Sequence, residues 1–135
     1  MNAINKIAGP TDFEKALTYE IQQAAEKNRQ PAIIFLQPQD QELTDRVCES
    51  LVNLAYANVN FLPGKKQCLD FVAKYDENYA AIMINQNGQE AKTIMNNILG
   101  QLQSQIGSLK MEHTGVAVYE HGKTSEQMIK EVLGK

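Results

Sequence analysis

The chain has 135 residues, a length at which one domain buries roughly two-thirds of the surface its unfolded form exposes, so no disulfide or metal is needed to hold it. Its 43% apolar and 21% charged residues are ordinary for a globular protein and exclude intrinsic disorder. A net charge of -3 removes the general attraction to phosphate backbones and anionic lipid, so neither nucleic acid nor a membrane surface is an expected partner.

Residues 1–10 lack the apolar core of a secretory signal, and no apolar run is long enough to cross a bilayer. A cytoplasmic location is expected, with residues 1–10 as a lead segment and 11–135 as a single domain. The helical signals begin at Thr11-Asp12-Phe13-Glu14, which has the form of a capping box. Phe13, Leu17, Ile21 and Ala24 then recur at helical spacing, predicting an amphipathic helix to about Asn28. Residues 31–36 (Pro-Ala-Ile-Ile-Phe-Leu) are continuously apolar and β-branched, the pattern of a strand covered on both faces. Asp40 can cap a second helix whose face is Leu43, Val47, Leu51 and Leu54.

A loop around Pro63-Gly64 follows, with Lys65-Lys66 read as solvated. Residues 68–75 and 79–84 are strand candidates separated by Asp76-Glu77-Asn78, a hairpin pattern. After the turn at Asn87-Gly88 comes a long helix with Ala91, Ile94, Met95, Ile98, Leu102 and Ile106 on one face. Residues 111–119 read as a strand, and Thr124-Ser125-Glu126-Gln127 caps a last helix. The order is α-β-α-β-β-α-β-α. Its inner part is a ferredoxin-like β-α-β-β-α-β core with a mostly antiparallel sheet, so the expected class is α/β (α+β) with extra helices at both ends.

Chemistry-bearing patterns are sparse. Cys48 and Cys68 have no CxxC spacing and are expected to be reduced and partly buried. His113 and His121 have no ligand or nucleophile at useful spacing on their own elements, and no serine stands in a Gly-x-Ser-x-Gly elbow. Met83, Met95, Met111 and Met128 read as core filler, and Tyr75 and Tyr79 as aromatics packed on a neighbouring helix. No metal site and no cofactor is expected.

The stretch 70–82, Asp-Phe-Val-Ala-Lys-Tyr-Asp-Glu-Asn-Tyr-Ala-Ala-Ile, resembles the hairpin of GGDEF domains, with Lys74-Tyr75 matching the Arg-Tyr that leads into the signature turn. The opening helix and the late strand with Gly115-Val116-Ala117, followed by Gly122-Lys123-Thr124, fall where such a domain has them. The resemblance implies a cyclic di-GMP signalling setting in bacteria. Active members are diguanylate cyclases, which join two GTP molecules using metal held by carboxylates at the end of the first strand and in the turn.

Aligned on that pattern, the two glycines of the turn become Asp76 and Glu77, and its two acidic positions become Asn78 and Tyr79. The Asp-x-Asp of the first strand becomes Gln37-Pro38-Gln39. The resemblance therefore implies lost metal positions at Gln37, Gln39 and Asn78, and a chain that is not an enzyme. The Arg-x-x-Asp inhibitory site reads Gln67-Cys68-Leu69-Asp70, so Asp70 remains as a remnant without its arginine. The expectation is a catalytically inactive regulatory module whose interaction surface is the turn Asp76, Glu77, Asn78 and Tyr79, with a protein partner or a homodimer. The alternative is a non-catalytic sensor that binds a nucleotide, GTP or cyclic di-GMP, near Asp70 and the lysines at 65 and 66.

Overall fold

The fold is described from a computed structural model, over residues 7–57, 69–85 and 87–134. Lys65, Lys66, Gln67, Cys68 and the Pro63-Gly64 loop lie outside these described residues.

The elements follow the expected order: α1 (Pro10–Ala24), β1 (Ala32–Pro38), α2 (Thr44–Tyr56), β2 (Phe71–Lys74), β3 (Ala80–Ile84), α3 (Ala91–Gln105), β4 (Met111–Val118) and α4 (Ser125–Val132). Short 3-10 turns lead into α2 and α3. Two helix starts behave differently. At α4 the capping box forms in full, Thr124 accepting from the Gln127 N–H while the Gln127 side chain takes the Thr124 N–H.

At α1 the expected box at Thr11 and Glu14 does not form. The N-cap is Gly9, with no side-chain cap, and Pro10 stands in the first turn. Proline fits there because its fixed φ suits the helix and the N–H it lacks would have gone unpaired. The regular helix runs to Ala24, and its last turn closes at Asn28, about where the sequence places the end. Asn28 adopts φ 51, and the Asn28 and Arg29 N–H groups fold back onto the Ala25 and Ala24 carbonyls, which is a Schellman closure.

The strands form a four-stranded sheet among the described residues, in the order β2-β3-β1-β4. All neighbours are antiparallel: Ala32 stands opposite Ile84 of β3 and Val118 of β4, and Leu36 opposite Ala80 and Thr114. This is two interleaved split β-α-β units, the ferredoxin-like arrangement. Alternation along β1 feeds two cores. Ala32, Ile34 and Leu36 face α2 and α3, where Val47, Cys48, Leu51, Ile94, Ile98 and Leu102 close over them. Ile33 and Phe35 face α1 and α4, against Phe13, Leu17, Met128 and Val132. The result is a helix-sheet-helix sandwich with β1 wholly enclosed, as its unbroken apolar run requires.

Gly115 of β4 marks a close approach, since a Cβ there would overlap the Val132 carbonyl at the end of α4. Met83, Met95 and Met128 are buried and Met111 is half-buried on the same cores. No helix among the described residues is long and apolar enough to cross a membrane.

Candidate functional site

The C-terminal end of β1 and the β2-β3 hairpin come together because β1 pairs with β3. The Leu36-Ala80 pair is the last of that ladder, so Gln37 and Gln39 continue past it beside the turn that joins Tyr75 to Tyr79. Gln37 still pairs with His113 of β4, a register shift follows at Pro38, and the Gln39 N–H donates to the Lys110 carbonyl at 2.8 Å.

The turn is closed by its own side chain. Asp76 Oδ1 accepts from the Asn78 N–H at 2.8 Å and the Tyr79 N–H at 3.0 Å, and the Tyr75 N–H donates to the Tyr79 carbonyl at 2.9 Å. Such an Asx turn uses one oxygen of Asp76, Oδ1, to close the backbone. Glu77 is exposed and pairs with Lys74 at 3.4 Å, and Lys74 also reaches Asp45 at the start of α2 at 2.9 Å. The hydrogen bond with Asp45 is the main reason the Lys74 ammonium is held above its ordinary value, with the charge of Glu77 adding to it. Asn78 is exposed.

Tyr75 and Tyr79 pack against the core that the sheet forms with α1 and α4. Phe35 of β1 lies 4.9 Å from the Tyr75 ring and 5.8 Å from the Tyr79 ring, and His113 meets Tyr79 edge-on at 6.1 Å. Burial pushes both phenols up, helped at Tyr75 by the carboxylates of Glu14 and Asp76 and at Tyr79 by Asp76. His113 is fixed from its other side, with Nε2 2.9 Å from the Val132 carbonyl, while His121 is exposed. Lys74 and Asp45 carry no sequence motif as a pair. The one available signal was strand alternation, which puts Lys74 on the face of the sheet that α2 covers.

A divalent cation with phosphate oxygens requires several anionic oxygen donors converging on one point. Gln37, Gln39 and Asn78 offer neutral amides where a magnesium site needs converging anionic oxygens, one oxygen of Asp76 closes the turn and Glu77 lies 3.4 Å from Lys74, so this donor set fits a magnesium site poorly. Among the described residues, no group of three or more His, Cys, Asp or Glu side chains is placed to hold a metal ion.

Asp70 stands apart from the turn, at the opposite end of β2. Its N–H donates to the Met83 carbonyl at 3.1 Å and its Oδ2 accepts from the Asn85 N–H at 2.8 Å, so it staples the open end of the hairpin. Burial raises its carboxyl above the usual range against the lowering effect of the Asn85 bond. It lines a cleft of about 320 Å³ with Val52, Tyr56, Leu69 and Phe71, and Tyr56 is 81% exposed. Cys48 is buried on α2, where burial and then the charge of Asp45 push its thiol up to about 12.

No protein-family model and no curated protein matches the chain. Solved structures do. A microbial GGDEF domain described for a novel interaction mode with cyclic di-GMP aligns over 99% of this chain and 88% of its own, with a TM-score of 0.74 and 17% identity. The GGDEF domain of DgcB from Caulobacter crescentus, in complex with c-di-GMP, aligns over 99% and 85%, with a TM-score of 0.68 and 12% identity. The diguanylate cyclase SiaD from Pseudomonas aeruginosa, in complex with its activator SiaC, aligns over 98% of this chain and 55% of its own, with a TM-score of 0.71 and 11% identity. At these identities the likeness is one of fold.

Proposed function

Starting from a chain that has the GGDEF fold, we propose that it is a non-catalytic module of bacterial signalling, working in the cytoplasm through protein contact at the β2-β3 turn. The observation that carries this reading is the use made of the turn's two acids. Asp76 closes the turn and Glu77 is tied to Lys74, while neutral amides stand at Gln37, Gln39 and Asn78. Neutral amides at those three positions leave few anionic oxygens for a metal-bound triphosphate, which supports the non-catalytic reading. A pre-closed, exposed turn is instead a rigid surface for another protein, and its acids suit a partner patch rich in hydrogen-bond donors or positive charge. The SiaD complex with its activator SiaC is one instance of a protein with this fold engaging a protein partner. A homodimer is the other form such contact can take.

A second reading is favoured by one observation, the position of Asp70 in a cleft beside Tyr56, where its carboxyl is raised. On that reading the chain senses GTP or cyclic di-GMP without turnover. Calorimetric titration of the purified chain with each nucleotide, in magnesium, separates the two. The leading reading expects no heat beyond dilution. Saturable micromolar binding that disappears in Asp70→Ala would replace it with the sensor.

A further inference from the structure

The two edges of the sheet are not alike. β2 is flanked at Ala73 by a parallel bridge from Ala8, whose carbonyl takes the Lys74 N–H at 2.8 Å. β4 has no strand beyond it among the described residues. The Tyr119 N–H donates to the Pro31 carbonyl at 2.9 Å, and this pairing fixes the parity of the ladder. Gly115 and Ala117 turn their main-chain groups toward β1, and Thr114, Val116 and Val118 turn theirs outward. Lys123 confirms that direction, because its ammonium caps the outward Val118 carbonyl at 3.1 Å while Glu120 and Glu131 hold it there at 3.2 and 3.0 Å. A lysine so placed ends strand pairing at Val118 and leaves the outward groups of Thr114 and Val116 open.

Beside this edge lies a groove of about 440 Å³ floored by the half-buried Val116 and Val118, with Lys92 of α3 on its rim. The charge of Lys123 is met by its two glutamates, whereas Lys92 is exposed and has no ion-pair partner among the described residues. We propose that the β4 edge accepts an extended segment of a partner protein as an added strand. The segment would place apolar side chains at alternate positions over Val116 and Val118 and an acidic residue beside Lys92. Main-chain pairing supplies the affinity and the period of two supplies the selectivity.

A second copy of the chain is disfavoured in the register centred on Gly115, whereas an extended segment brings no helix to the edge in any register. The last turn of α4 lies directly on Gly115, and His113 Nε2 stands 2.9 Å from the Val132 carbonyl. Two-fold pairing of β4 with itself about Gly115 would set two such helix ends about 5 Å apart, where packed helices need roughly 8–10 Å. The surface lies on the edge opposite the hairpin, and its use does not depend on whether the chain turns over nucleotide.

The test is selection of a random-peptide library displayed on phage against the purified chain, followed by titration of the enriched peptides and amide-exchange measurements by NMR. Enriched sequences should alternate apolar and polar residues, carry an acid, and slow exchange at the Thr114 and Val116 amides by about tenfold or more. Val116→Pro removes an outward N–H without breaking a bond to β1 and should weaken binding about tenfold. Lys92→Glu, on the exposed face of α3, should lose the preference for the acid and carries the test alone where Val116→Pro does not fold. Absence of enrichment, peptides that leave the two amides unchanged, or equal binding by both variants would overturn the proposal. Protection of these amides that rises with protein concentration in the absence of peptide would assign the edge to a second copy and overturn the partner.

Discussion

The Asp76 carboxylate closes the hairpin turn through Oδ1, which accepts from both the Asn78 and the Tyr79 N–H groups. Replacing it with alanine removes two main-chain hydrogen bonds and should cost about 1–2 kcal/mol, read as a lower urea midpoint. Asp76→Asn keeps an acceptor oxygen and should recover most of that loss; an equal loss in both variants would mean that charge, not turn closure, is what Asp76 supplies. Asp70 gives a pH signature. Its carboxyl is raised chiefly by burial, so the folded chain holds that proton more tightly than the unfolded one. Stability is therefore lost as pH rises from the ordinary carboxylate range through the raised folded value. Asp70→Asn retains an acceptor for the Asn85 N–H and cannot ionise, so it should melt higher than the native chain at pH 7, with the gap closing toward pH 3. A gap that persists unchanged at low pH would put the effect in packing rather than ionisation. The sequence places Asp76 in the hairpin turn and Asp70 in the strand candidate before it, but not the bonds that either carboxylate makes. Each depends on a partner whose position only the β2-β3 register sets.

At the scale of elements, the glycines separate packing from propensity. Gly115 lies under the end of α4, so Gly115→Ala must push the Val132 backbone away and should cost roughly 2–3 kcal/mol by denaturant titration. Gly100 has open space where a Cβ would go and sits inside α3, so Gly100→Ala should stabilise by about 0.5–1 kcal/mol. The same sign for both substitutions would contradict the close approach of α4 to β4. Element order and face were legible in the sequence because they follow from hydrophobic period: the apolar positions of α3, Ala91 to Ile106, are the ones buried, and the unbroken run of β1 marked it as the enclosed strand. The start of α1 was misread because Thr11 and Glu14 match a capping box while Pro10, one residue earlier, already serves as the first-turn residue. Local patterns of equal strength compete there, and only the chain's approach through Gly9 and the Ala8 bridge selects between them.

For the whole molecule, helices cover both faces of the sheet and leave the hairpin turn and the β4 edge at its margins. At one end the turn is closed on itself and linked through Lys74 to α2; at the far edge β4 presents main-chain groups that the fold does not use. The fold is like that of proteins solved with cyclic di-GMP or with a protein activator, and the second kind of engagement is the one proposed for this chain. The most direct test of that account is to incubate the purified chain at high concentration with GTP and magnesium and to quantify cyclic di-GMP by chromatography. The account predicts no product above the protein-free background, in the native chain and in Asp76→Ala alike. Sustained formation of cyclic di-GMP by the native chain, abolished in Asp76→Ala or Glu77→Ala, would contradict it and make those two acids catalytic.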